Sequence, residues 1–183
     1  MLPILRELPY SDEMTEISAP GVREFARPYQ IIVWVSVTPA DQLESPASAR
    51  RFPAILDTGL NDNFIITPVH LRAWAGLHWN SLPEEGPERF HGATPVPIRR
   101  ANVWLHPNQP GWRDWLDPLR PAVLIDLFDG ITVYGNGEQV GTDPRTRTLS
   151  GPRLPLLGLR ALTDMGCQFH IDCARRLVSL ELP

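Results

Sequence analysis

The chain reads as an all-β domain with one or two short helices, and three observations carry that reading. Twenty prolines spread over 183 residues interrupt any long helical period. The apolar stretches are short and rich in β-branched residues. Long polar or Pro-rich loops separate them. The length suits one compact domain with its own core and is too short to suggest two.

Taken in order, residues 1–28 are polar, Pro-punctuated and without clear period, so they read as an extension, a loosely packed arm ahead of a domain spanning 29–183. Residues 30–38, Gln-Ile-Ile-Val-Trp-Val-Ser-Val-Thr, form a strong strand. A loop over 39–50 follows, and residues 52–56 return as the second arm of a hairpin. That arm ends in Asp57-Thr58-Gly59, and Phe64-Ile65-Ile66 begins a further strand. Thr67-Pro68 has the signature of a helix start, a capping hydroxyl before a proline, with Gly76 near the end of the segment. His70 and His78 flank this helix as surface residues, and no Ser or Cys motif accompanies them.

A Pro/Glu loop covers 80–89, and strands are expected near 90–98 and over 101–105. Residues 106–121 form an insertion-like loop with Trp112 and Trp115. Strands follow at 122–128 and 131–134, joined by the turn Phe128-Asp129-Gly130. After a Gly/Thr/Arg loop over 135–153 come an apolar strand ending in Leu156-Leu157-Gly158, a short helix, and closing strands at 167–173 and 177–180. Alternation across 167–173 places Cys167 and Cys173 on the inner face of one strand, too far apart to bridge, because a disulfide needs Cα atoms within about 7 Å. They read as structural free thiols. With His170 facing the other way they make a poor zinc site, and no metal is expected.

Composition narrows the function. A net charge of −4 with dispersed arginines offers no basic run for nucleic acid. No stretch of 18 apolar residues suggests a membrane span, and the N-terminal residues lack a basic segment followed by a long apolar one. A cytoplasmic location is the expectation. All 17 basic residues are arginine, which excludes a lysine nucleophile, a Schiff base or a phosphate-loop lysine.

An Asp at the end of a buried strand can be held close to a second carboxylate, and two such groups about 3 Å apart share one proton. One then activates water while the other protonates the substrate. The Gly after Asp-Thr lets the backbone turn without a Cβ clash, and the Thr hydroxyl can donate to neighbouring backbone. Asp-Thr-Gly alone also arises by chance as a turn, but here it joins two apolar strands.

Two distant segments then agree. Asp57-Thr58-Gly59, followed far downstream by Leu156-Leu157-Gly158, a short helix and Gly166-Cys167-Gln168-Phe169-His170-Ile171, resembles the retropepsin-like aspartic proteases, the single-lobe family of retroviral-type enzymes. The resemblance covers roughly residues 29–180. It implies an acid-protease barrel of one lobe, no cofactor, and an endopeptidase that hydrolyses peptide bonds of a peptide or protein substrate. Asp57 would be the catalytic carboxylate, Thr58 would clasp its counterpart across a dimer, and Gly59 would offer its carbonyl to substrate backbone. Asn61, Asp62 and Gly92 would contact substrate, with Gly92 near the tip of a flap over 90–98. The resemblance places an apolar-apolar-Gly segment behind the active-site loop. Because no second Asp-Thr-Gly or Asp-Ser-Gly exists in the chain, the dyad requires a homodimer with its two-fold axis between two copies of Asp57.

The chain departs from the family at two points. Leu60 stands where Ala, Ser or Thr usually follows, and Leu159 separates Gly158 from Arg160, which in viral members directly follows the Gly. Leu60 and the flap prolines Pro95 and Pro97 keep a second reading open, a non-catalytic peptide-binding or scaffold module that retains the fold.

Overall fold

The computed structural model describes every residue except 20–21, 45–48, 87–88, 92–93, 136–138, 141–147 and 150. The chain runs through β1 (Leu2–Pro9), β2 (Thr15–Ala19), β3 (Val22–Ala26), β4 (Ile31–Pro39), β5 (Phe52–Asp57) and β6 (Phe64–Ile66). The helical turn α1 (Pro68–His70) comes next, then β7 (Arg89–His91), β8 (Thr94–Val96), β9 (Ile98–Arg99), β10 (Ala101–Leu105), β11 (Val123–Ile125) and β12 (Ile131–Val133). The chain closes with β13 (Gln139–Val140), β14 (Thr148–Leu149), β15 (Leu156–Gly158), α2 (Leu159–Asp164), β16 (Gln168–Asp172) and β17 (Leu177–Leu182). It is a mostly β protein with a few short helices. None of the helices among the described residues is long and apolar enough to cross a membrane.

An eight-stranded sheet in the order β11-β10-β4-β5-β15-β6-β12-β9 curls into a half-barrel. β4 lies at its heart and is buried over its first eight residues, because both of its faces are covered. Ile31, Val33, Val35 and Val37 enter the main core, while Ile32 and Trp34 point to a smaller cluster with Ile17, Ala26 and Leu154. β4 and β5 pair antiparallel from Ile31↔Leu56 to Val35↔Phe52, the expected hairpin. β15 slots between β5, to which it runs parallel, and β6, to which it runs antiparallel.

The N-terminal residues correct the expectation of a loosely packed arm. β1 pairs antiparallel with β17 in a three-stranded sheet completed by β16. Ile4, Leu5 and Leu8 are at most 1% exposed and join the main core; burying side chains of this size stabilises by about 2 kcal/mol each. Residues 2–3, 5 and 8–9 find partners only across two register shifts, and Glu7 adopts φ 46° within the second. Those irregularities erase the alternation that would mark a strand in the sequence.

Two further expectations change. Thr67 caps α1 as predicted, its Oγ1 accepting from the His70 N–H at 3.1 Å, and the helix widens into a π-helical turn over Leu71–Ala75. His70 is half-buried and not a free surface residue: its ring stacks on Trp74 with centroids 4.2 Å apart, and burial pushes its pKa down to about 4. Cys167 is half-buried ahead of β16, but Cys173 is exposed in the turn after it, so the two thiols do not share an inner face. The 106–121 loop is tied down. Asn108 accepts from the Arg6 N–H at 2.8 Å and donates to the Arg6 carbonyl at 2.9 Å, and Trp112 stacks on Trp115.

Candidate active site

β5 is apolar until its last residue, so Asp57 stands where a buried strand meets a polar turn. The turn closes with the Leu60 N–H donating to the Asp57 carbonyl at 3.4 Å. Asp57 Oδ1 accepts the Gly59 N–H at 2.9 Å, a charge-assisted bond that fixes the carboxylate over the turn. Among the described residues Asp57 forms no ion pair. Thr58 is exposed, and its hydroxyl makes no hydrogen bond among the described residues, in contrast to the expected donation to nearby backbone.

The steric requirement for glycine lies elsewhere than the sequence suggests. A Cβ on Gly59 would sit 3.5 Å from Asp57 Oδ1, an ordinary contact, and Gly59 does not adopt a positive φ. Gly158 is the constrained position. It is the register partner of Asp57 across the parallel β5–β15 pair, and its N–H donates to the Asn63 carbonyl at 2.9 Å. A Cβ there would meet the Asp62 carbonyl oxygen at 1.9 Å. β15 therefore passes directly behind the Asp57 loop, at a separation that only glycine permits.

Asn61 is exposed beside the turn. Asp62 is 7% exposed, and its Oδ1 accepts from Thr132 Oγ1 at 3.0 Å. Buried and bonded to β12, it braces the loop from within. Asn63 is 2% exposed, and both polar atoms of its side chain lack partners among the described residues. β7 and β8 form the hairpin expected of the flap, with Phe90 opposite Pro95. Gly92, expected near its tip, lies outside the described residues. Arg160 meets Asp129 at 2.9 Å and Asp164 at 3.9 Å.

Asp57 and Thr58 open onto a cleft of about 470 Å³ whose other walls include Tyr10, Tyr29, Ile171 and Cys173. Sequence reasoning missed these four. Tyr29 is 69% exposed and held at φ 63°, its N–H donating to the Ser11 carbonyl at 2.7 Å. Only its position just ahead of the strong β4 pattern could have flagged it. Burial pushes the Cys167 thiol up, which disfavours the nucleophilic thiolate. Ser36 Oγ lies 2.7 Å from His106 Nε2, yet Ser36 is fully buried and cannot meet a substrate. Among the described residues no three His, Cys, Asp or Glu side chains gather in a way that could hold a metal ion. No family model, curated protein or solved structure matches the chain.

Proposed function

We propose that the chain is an aspartic endopeptidase of retropepsin-like architecture, active as a homodimer that places one Asp57 from each subunit at the reaction centre. The observation that carries this reading is the joint between β5 and β15. Asp57 and Gly158, far apart in sequence, are register partners, and the glycine passes at a distance no side chain tolerates. A turn formed by chance would not need such a crossing. The Thr58 hydroxyl, without a partner within the described residues, is available to its copy across the two-fold axis.

Two carboxylates at about 3 Å cannot both ionise, so the pair holds one proton between them. The ionised member takes a proton from water, whose oxygen attacks the scissile carbonyl carbon, while the protonated member donates to the carbonyl oxygen. Proton transfer to the amide nitrogen then lets the C–N bond break. Asp62 and Thr132 contribute by holding the loop, not by touching substrate.

Leu60 favours a second reading, a peptide-binding module without catalysis. It is half-buried in the loop and supplies no hydroxyl to an ionised carboxylate. The deciding experiment compares wild type with Asp57→Asn on an unfolded protein substrate across acid to neutral pH. The dyad predicts that cleavage falls by at least about 10³-fold with the fold intact. Equal cleavage by the variant would sink the enzyme reading. A monomeric wild type that binds peptides and cleaves none would establish the binding module.

A further inference from the structure

A second cavity, of about 380 Å³, lies away from Asp57, between Arg51 and the closing half of the 106–121 loop. Leu116, Pro118 and Leu119 give it an apolar wall, and Arg51, Arg120 and His106 give it a polar one. Arg99, Arg113 and Arg160 each meet a carboxylate in this protein. Arg51 and Arg120 meet none among the described residues, and Arg120 Nη1 is buried without any hydrogen-bond partner. A guanidinium donor withdrawn from water and left unpaired is unfavourable, and because Arg120 lines the cavity, a small rotation of its side chain would bring that donor to an acceptor seated there.

The charge of the walls is nearly balanced. Asp117 also lines the cavity, with its Oδ1 committed to the Leu119 N–H at 3.0 Å. Burial, and then the nearby Arg51, push the His106 pKa down to about 4, and Ser36 Oγ lies 2.7 Å from its Nε2. Near neutral pH the lining therefore carries two cations against one anion, a surplus suited to a monoanion. The volume exceeds that of a bare inorganic ion and falls in the range of small organic ligands.

We propose that this cavity binds a small organic carboxylate, its charged group held by Arg120 and Arg51 and its apolar body by Leu116, Pro118 and Leu119. The planar guanidinium fork matches the two oxygens of a carboxylate. Free organic acids and the C-terminal carboxylate of a peptide share this chemistry. The site is independent of the Asp57 reading.

The test is calorimetric titration of the full chain near neutral pH and constant ionic strength with four probes: N-acetylleucine, N-acetylleucinamide, acetyl-Ala-Ala-Leu and inorganic phosphate. N-acetylleucine should bind saturably, and its uncharged amide should bind at least about tenfold more weakly. Arg120→Gln should weaken N-acetylleucine by a similar factor. Arg51→Gln, at an exposed position with no ion pair among the described residues, should also weaken it, which keeps the test decisive if the Arg120 variant misfolds. Tighter binding of the tripeptide than of N-acetylleucine assigns the site to peptide C termini, and weaker binding assigns it to free acids. Equal binding of acid and amide, no saturation, indifference to Arg51→Gln, or phosphate binding more tightly than the carboxylate would each overturn the proposal.

Discussion

The Asp129-Gly130 and Asp57-Thr58-Gly59 turns each set a Gly close behind an Asp, and they are built to opposite ends. In Phe128-Asp129-Gly130 the carboxylate meets Arg160 at 2.9 Å, and the turn closes through the Gly130 N–H donating to the Leu127 carbonyl. Gly130 has φ 69°, and a Cβ there would come within 2.6 Å of the Arg99 carbonyl oxygen. That turn depends on its own glycine and ties down its own acid. In Asp57-Thr58-Gly59 the local glycine is sterically replaceable, the acid meets no cation among the described residues, and the constraint comes from a distant strand. A turn that serves only the fold can satisfy its charge locally. One that leaves a carboxylate at the mouth of a cleft must be braced from behind.

The bracing is therefore where the largest effect is expected. Gly158→Ala places a methyl group 1.9 Å from the Asp62 carbonyl oxygen, so β15 and the Asp57 loop cannot both keep their positions. Loss of stability should exceed about 4 kcal/mol in denaturant unfolding. A smaller loss, with the loop undisturbed, would mean that the crossing is looser than described.

Acid sensitivity comes next, and it arises away from both turns. The pKa values of His70 and His106 are pushed down to about 4 by burial, with Arg153 and Arg51 as secondary causes. The unfolded chain takes up a proton at each histidine as pH falls through about 6.5, whereas the folded chain takes it up only near 4. Stability is therefore fully present above pH 6.5 and declines between 6.5 and 4, by up to about 3 kcal/mol per histidine. A pH series of unfolding free energies for wild type, His70→Gln and His106→Gln checks this, with a flatter slope expected in each variant. The same series separates loss of fold from loss of the proposed dyad in any assay under acid conditions.

The smallest expected effect lies in the other turn. Arg160 and Asp129 are both partly solvent-exposed, so Arg160→Gln should cost about 0.5 kcal/mol or less by thermal unfolding. A loss of several kcal/mol would place Arg160 in the framework of the site and erase the contrast.

Much of this was legible in the sequence where one local signal dominates. The β-branched run of β4, the arm of β5 ending in Asp57, the Thr67-Pro68 helix start and the Leu156-Leu157-Gly158 strand all declare themselves through residue type and period. Interactions set by distant pairing stayed hidden. β1 loses its alternation through two register shifts, so Ile4, Leu5 and Leu8 do not look like a core strand until β17 lies beside them. No local pattern distinguishes the replaceable Gly59 from the constrained Gly158, because the clash at Gly158 comes from the Asp62 carbonyl across a strand pair. Asp62 likewise resembles a polar loop residue until Thr132 is folded against it.

The central claim is that two copies of Asp57 act as one catalytic unit, and subunit mixing tests it most directly. Wild type and Asp57→Asn are combined in varying proportion at fixed total concentration, allowed to exchange, and assayed for peptide cleavage. If both carboxylates of a two-fold dimer are required, activity follows the square of the wild-type fraction and falls to about one quarter at equal mixing. Activity that instead falls in direct proportion to the wild-type fraction would show that a single Asp57 suffices, and would contradict the shared-proton dyad.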